Sequence, residues 1–164
     1  MRYHDITKDD MKNGDGLRVV LWLSGCRHQC PGCQNPVTWN PQDGLAFDEA
    51  AKQEIEGQLE KPYISGITFS GGDPLFPENV AEVTAYCREL KGRFPGKTVW
   101  LYTGEVWEDI AGFEVLHFID VLVDGKFERE KQDNLLHWRG SGNQRVIAVQ
   151  ESLRRGQMVL HDIS

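Results

Sequence analysis

Apolar and polar positions alternate along this chain in blocks whose period switches between two and about 3.6, the signature of strands alternating with helices. Arg18 to Leu23 is a short run rich in β-branched and aromatic side chains and predicts a buried strand. Residues 34–47, punctuated by Pro36, Pro41 and Gly44, predict a loop. Asp48 can cap a helix running to about Glu60, with Ala51, Ile55 and Leu59 on one face. Ile64 to Phe69 predicts a second strand. From Pro77 to just before Gly92, the residues Val80, Val83, Cys87 and Leu90 recur at helical spacing, which makes Cys87 a small buried hydrophobe on a core face. Lys97 to Tyr102 predicts a third strand, Val106 to Ala111 a short helix, and Phe118 to Val123 a fourth strand. Arg145 to Val149 predicts a fifth strand and Gln157 to Leu160 a sixth. The polar N-terminal segment up to Gly16 predicts irregular chain, and residues 127–143 carry no clear period.

Strands that alternate with helices predict βαβ units and a mainly parallel α/β sheet. The three-cysteine loop, Gly71-Gly72-Asp73-Pro74, Thr103-Gly104 and Asp124-Gly125-Lys126 each follow the C-terminal end of a predicted strand. Ligands bind at that edge of parallel α/β folds, so four loops predict one shared site.

Composition narrows the function. With 164 residues, the chain fits one domain spanning 1–164. It carries a net charge of −7, which argues against unaided binding to nucleic acid or to an anionic membrane. The apolar run Val19 to Leu23 is far short of the ~18 residues that span a bilayer, and no export core precedes it. The cytoplasm is the expected compartment. Cysteines there serve as metal ligands, catalytic groups or core fillers more often than in disulfides.

Cys26, Cys30 and Cys33 fall within eight residues of one another. Thiolates select zinc, copper(I) or iron–sulfur clusters. A structural zinc takes four closed ligands, and Cys26 and His28 could complete a site around Cys30 and Cys33 only if one short loop wraps the ion. A cubane held by three cysteines leaves one iron open, as a catalytic metal site requires. Spacing alone leaves both readings standing. His28 reads as a supporting or surface group.

The spacing Cys26-x₃-Cys30-x₂-Cys33 after a first strand resembles the signature of the radical S-adenosylmethionine (SAM) superfamily. Gly71-Gly72-Asp73-Pro74 resembles its GGEP motif, with Asp in place of Glu. Longer strings are similar to one branch, the activating enzymes of the anaerobic ribonucleoside-triphosphate reductase. They are Asn13 to Arg18, Gly25 to Asn35, Thr38-Trp39, Thr68 to Leu75, Val123 to Phe127 and Ser141 to Arg145. The resemblance implies an open partial (βα) barrel of about five to six mainly parallel strands. It implies a [4Fe–4S] cluster on Cys26, Cys30 and Cys33 whose open iron is chelated by the amino and carboxylate groups of SAM. Gly71, Gly72 and Asp73 would position the SAM amino group, and Asp124 and Lys126 would lie near its carboxylate or ribose. Gly32, Gln34, Pro74 and Thr103 join them around the cofactor, and Asn143 and Arg145 contact SAM or the partner. The implied reaction is reductive cleavage of SAM and hydrogen abstraction from a C-terminal glycine of the large reductase subunit. The electron donor would be of low potential, such as reduced flavodoxin.

Two features depart from the superfamily pattern. Pro31 stands where most members carry an aromatic residue, and Asp73 shortens the motif carboxylate by one methylene. Read without the resemblance, Asp124-Gly125 is also a hairpin signal and Arg145 a surface ion-pair former.

Overall fold

A computed structural model of the chain describes residues 1–26, 28, 30 and 39–162. Its strands are β1 (Arg2–Asp10), β2 (Leu17–Leu23), β3 (Leu45–Ala46), β4 (Ile64–Gly71), β5 (Thr98–Tyr102), β6 (Val121–Asp124) and β7 (Arg145–Ala148). Its helices are α1 (Glu49–Leu59), α2 (Val80–Arg93), α3 (Trp107–Ile110) and α4 (Val149–Arg155). The strands form one seven-stranded sheet in the order β3-β1-β2-β4-β5-β6-β7. The centre is parallel, through β2–β4, β4–β5 and β5–β6. Both flanks are antiparallel, through β3–β1–β2 on one side and β6–β7 on the other. The sheet is open: its edge strands β3 and β7 do not pair with each other.

Alternation along the strands divides the side chains between two faces. Val19, Leu21, Leu23, Ile67, Phe69, Val99, Leu101, Leu122 and Ile147 face the helices. They form one buried cluster with Ala51, Ile55 and Leu59 of α1 and Val83, Cys87 and Leu90 of α2. Burying each large aliphatic side chain contributes roughly 1.5–3 kcal/mol, which makes this layer the main source of stability. Burial also pushes the Cys87 thiol pKa up, consistent with an inert core residue. On the other face Trp100, Val121, Val123 and Val146 form a smaller cluster, against which Tyr102 and Trp138 pack.

Arg18 also lies on that second face and is wholly buried. Its guanidinium donates to Thr68 Oγ1 at 2.9 Å, Thr98 Oγ1 at 2.8 Å and the carbonyls of Asp15, Ile67 and Thr98 at 2.8 to 3.0 Å. It also lies 5.6 Å from the Trp100 ring centroid. Burial pulls its pKa down to about 10. One planar fork thus ties β2, β4 and β5 together below the site, which a point charge on lysine cannot reproduce.

Several expectations are corrected. The polar N-terminal segment is not irregular: it forms β1, an antiparallel flank in which only Ile6 is buried. Charged residues are normal on such a flank, but they hide it from a reading based on apolar period. Leu45–Ala46, inside a predicted loop, pairs with β1. The sheet has seven strands rather than five or six, and β7 runs antiparallel. The predicted sixth strand is reduced to one bridge, Ile147 to Leu160. A helix that the apolar pattern does not reveal, α4, lies between them and ends at Gly156 in the left-handed conformation. Its two turns are too few for a periodic signal. The capped helix at Asp48 is α1, with Asp48 accepting from the Ala51 amide at 3.0 Å. Among the described residues, no helix is long and apolar enough to cross a membrane.

Replacing Arg18 by Met removes five donated hydrogen bonds, to Thr68 and Thr98 Oγ1 and to the carbonyls of Asp15, Ile67 and Thr98. We expect Arg18→Met to lower the unfolding free energy by about 3 kcal/mol in urea titrations, and Arg18→Lys to recover little of it.

Candidate functional site

The parallel pairing of β2 with β4 continues past the strand ends. Gly72 N donates to Leu23 O at 2.9 Å and Asp73 N to Gly25 O at 2.7 Å. The turn that starts the cysteine loop and the Gly-Gly-Asp-Pro turn are therefore stitched backbone to backbone. Glycine is required at both. Gly71 has φ +102°, and a Cβ there would sit 2.4 Å from Leu23 N; Gly25 has φ +108°. Cys26 N then donates to Trp39 O at 3.1 Å, which closes the base of the cysteine loop.

Asp73 is 1% exposed. Its Oδ2 accepts from Thr103 Oγ1 at 3.0 Å and Gly104 N at 2.9 Å, and lies 2.8 Å from His28 Nε2. Its Oδ1 accepts from Leu75 N at 2.9 Å. A buried carboxylate must spend its lone pairs on donors, and these four use most of its capacity. One side chain thus joins the cysteine loop, the turn after β4 and the turn after β5.

These loops border a cleft of about 530 Å³. Cys26, Cys30, Gly71, Gly72, Thr103 and Lys126 line it among the predicted residues. Cys33, Gly32, Gln34 and Pro31 lie outside the described residues. Asp73, Pro74, Asp124, Asn143 and Arg145 do not line the cleft, and they support its walls instead. Sequence reasoning missed Lys12, Asn13, Trp22 and Tyr102, and parts of the segment from Phe127 to Gly140, including Phe127, Asp133 and Trp138, on the cleft. Strand alternation could have found Trp22 and Tyr102, which share the face of Arg18 and Trp100. Burial raises the pKa of the Tyr102 phenol, so it stays protonated.

The segment 127–144 folds back on itself. Gln132 bridges Ser141, Gly142 N donates to Lys131 O at 2.9 Å, and Gln144 Oε1 accepts from Gly140 N and Ser141 N. Asn143 Nδ2 donates to Lys126 O at 2.7 Å and Gln144 Nε2 to Gly125 O at 3.0 Å. The two motifs Asp124-Gly125-Lys126 and Asn143-Gln144-Arg145 therefore clasp each other, which aims Lys126 at the cleft. The carboxylate of Asp124 is fully buried; it accepts from Arg145 Nη2 at 2.6 Å and Nε at 3.1 Å, and from Trp107 N at 2.8 Å. Arg145 also donates to Glu108 at 2.7 Å. Hydrogen bonds to Asp124 and Glu108 raise the Arg145 pKa, and the same contact lowers that of Glu108.

The donor set suits a sulfur-bound metal group. Cys26 and Cys30 offer soft thiolates at the cleft edge, beside glycine turns that let a ligand approach backbone. The cleft has the volume of a small-molecule site. Among the described residues, no three potential metal ligands converge, two of the three thiols being the described part of the loop.

Comparison with known proteins identifies the family. Residues 12–147 match the family described as 4Fe-4S single cluster domain. The anaerobic ribonucleoside-triphosphate reductase-activating protein of Enterobacteria phage T4 is 45% identical over 146 residues, covering 89% of this chain and 93% of that protein. The chain belongs to the family of anaerobic ribonucleoside-triphosphate reductase-activating proteins. Members from Salmonella typhi and Escherichia coli K12 are 42% and 41% identical over 150 residues, with 89% of this chain and 97% of each relative covered. In this family member, the described cysteines lie at the C-terminal edge of the parallel strands, where the four-loop argument puts a site.

The Arg145–Asp124 pair yields a stability test. Removing Arg145 strands a buried carboxylate, so we expect Arg145→Met to cost about 3 kcal/mol in chemical denaturation. Glu108 behaves differently. Its folded pKa is depressed, so its contribution is present above the ordinary carboxylate range and is lost as pH falls through its folded value. Melting curves of Glu108→Gln should lie slightly below the parent at neutral pH and merge with it in acid. The difference is small because Glu108 is mostly exposed.

Proposed function

We propose that this chain is an iron–sulfur activase that cleaves SAM reductively and installs a glycyl radical on the anaerobic ribonucleoside-triphosphate reductase. What supports this reading is the placement of Cys26 and Cys30 on one cleft with the Gly71-Gly72 turn, in a chain from a family whose relatives bear that activating name. Cys26, Cys30 and Cys33 hold the [4Fe–4S] cluster. When bound, the cluster supplies one low-potential electron for cleavage of the S–C5′ bond of SAM into methionine and a 5′-deoxyadenosyl radical. Clusters reach about −700 mV at the low end, and each 59 mV of mismatch changes the reduced fraction about tenfold. The donor is therefore itself of low potential, of the reduced flavodoxin kind. The chemistry so supplied would remove a hydrogen atom from a glycine Cα near the C-terminus of the large reductase subunit, giving 5′-deoxyadenosine and the glycyl radical.

The chain's own residues bind and shield. Gly71 and Gly72 present backbone to SAM without a side chain in the way. Lys126, whose carbonyl accepts from Asn143 Nδ2, lines the cleft and would put a cation near the SAM carboxylate or ribose. Thr103 lines the same wall, and Pro74, Gly32 and Gln34 belong to the proposed cofactor-binding set. Trp22, Tyr102, Phe127 and Trp138 surround the cleft with aromatic surface that excludes water from a reactive radical. We read the open sheet as a partial barrel of the radical SAM type, acting as one domain over 1–164 in the cytoplasm. Its lateral opening suits a macromolecular substrate that inserts a glycine loop.

Anaerobic reconstitution with iron and sulfide, then dithionite reduction and electron paramagnetic resonance with and without SAM, tests the reading. The expected outcome is a [4Fe–4S]⁺ signal that changes on adding SAM, with 5′-deoxyadenosine released. Each of Cys26→Ser, Cys30→Ser and Cys33→Ser should abolish that signal. A protein that binds zinc tightly, holds no cluster and leaves SAM intact would defeat it.

A further inference from the structure

His28 is a side chain that the proposed chemistry leaves without a task. Its side chain is 6% exposed, although it sits on a loop between two cysteines that line the cleft. Two contacts define its place. Nε2 lies 2.8 Å from Asp73 Oδ2, with Glu105 Oε1 at 3.8 Å on the same side. The ring also lies flush against Gly104. A Cβ built there would come within 2.4 Å of Cδ2, 2.7 Å of Nε2 and 2.8 Å of Cγ. Gly104 has no positive φ to demand glycine, so the missing side chain is explained by the imidazole that occupies its space.

The partners of Asp73 sharpen the point. All four groups on its carboxylate belong to the protein, and the carboxylate stands behind the cleft wall rather than on it. A carboxylate only accepts, so the His28 Nε2 carries the proton that it shares. The three donors on Oδ2 come from the cysteine loop and the turn after β5. The carboxylate is thereby a fixed post, and His28 is the part of the cysteine loop fastened to it.

We propose that His28 is a positioning residue: wedged against Gly104 and tied to Asp73, it holds the Cys26 and Cys30 thiols at the cleft edge. The carboxylate of the Gly-Gly-Asp-Pro turn acts on the cysteine loop through this histidine, and the glycines of that turn face the ligand. The inference rests on the reading of Cys26 and Cys30 as cluster ligands, but the placement of the thiols is measurable without any cluster. Residues that orient metal ligands typically change metal affinity ten- to a hundredfold when removed.

Differential alkylation of the cysteines in the metal-free, reduced full-length protein tests it, with each site quantified by mass spectrometry. Cys87, buried in the core, is the internal control. His28→Ala should speed alkylation of Cys30 at least roughly tenfold while Cys87 stays slow. Gly104→Ala should do the same, although it removes no polar group, because its methyl displaces the ring. The double variant should add nothing to either single one. His28→Gln, which keeps a donor within reach of Asp73, should restore most of the protection. After reconstitution, the same variants should release iron to a chelator faster in the same order. Unchanged Cys30 reactivity in both His28→Ala and Gly104→Ala would overturn the proposal. So would Cys30 and Cys87 rising together, which marks general loosening rather than loss of a local tether. If the parent assembles no cluster yet the thiol pattern holds, the cluster reading falls and the positioning role stands.

Discussion

The buried carboxylate of Asp73 is the constraint around which the candidate site is organised. A carboxylate out of water is costly unless donors surround it, and the four donors here come from three stretches of chain. His28 brings the cysteine loop, Leu75 the turn that carries Asp73, and Thr103 with Gly104 the turn after β5. Satisfying one acid therefore fixes three loops relative to one another. The backbone stitches from Leu23 and Gly25 to Gly72 and Asp73 make the same connection from below.

The far end of the same strands uses a cation in the mirror role. Among the described residues, the Arg18 guanidinium donates to hydroxyl and carbonyl oxygens of β4, β5 and the Asp15 turn rather than to a carboxylate. Gly66 keeps that space open, since a Cβ there would meet Arg18 Nη2 at 2.8 Å and Thr98 O at 1.9 Å. The sheet thus has a fastened lower end at Arg18 and a fastened upper edge at Asp73. The cleft lies at the upper edge, over Trp22 and Tyr102. A third pair, Asp124 with Arg145, joins the antiparallel flank β6–β7 to α3, and so holds the Lys126 turn beside the cleft.

Much of this was legible in the residues. The strands at β2, β4 and β5 declared themselves because they are buried on both faces and read as apolar runs. The glycine and cysteine turns followed from their place after those strands. What stayed hidden obeyed other rules. β1 is a flank with a polar pattern, α4 is two turns long, and the fold-back of 127–144 is held by side-chain amides of Asn143 and Gln144 on backbone carbonyls. None of these leaves a hydrophobic period to detect. Asp124-Gly125 reads locally as a hairpin signal, yet its strand pairs with one that begins twenty residues later, at Arg145. Arg145 does make ion pairs, but its nearest partner is a buried acid rather than a surface one.

The sequence by itself determined the α/β alternation, the place of the glycine and cysteine turns after the parallel strands, the spacing of the cysteines, and the resemblance that led to the family. Those features are local, set by side-chain type, spacing and period. Only the tertiary structure decided that Asp73 faces His28 and Thr103 instead of the cleft, that Lys12 and Trp138 reach it, and that Asp124 is buried under Arg145. These outcomes depend on which donors happen to lie opposite a given acid once distant strands are in register. Hydrogen-bond partners 30 to 45 residues apart, such as Thr103 and His28 on Asp73, are chosen by the packing of the whole sheet. No period in the chain encodes them.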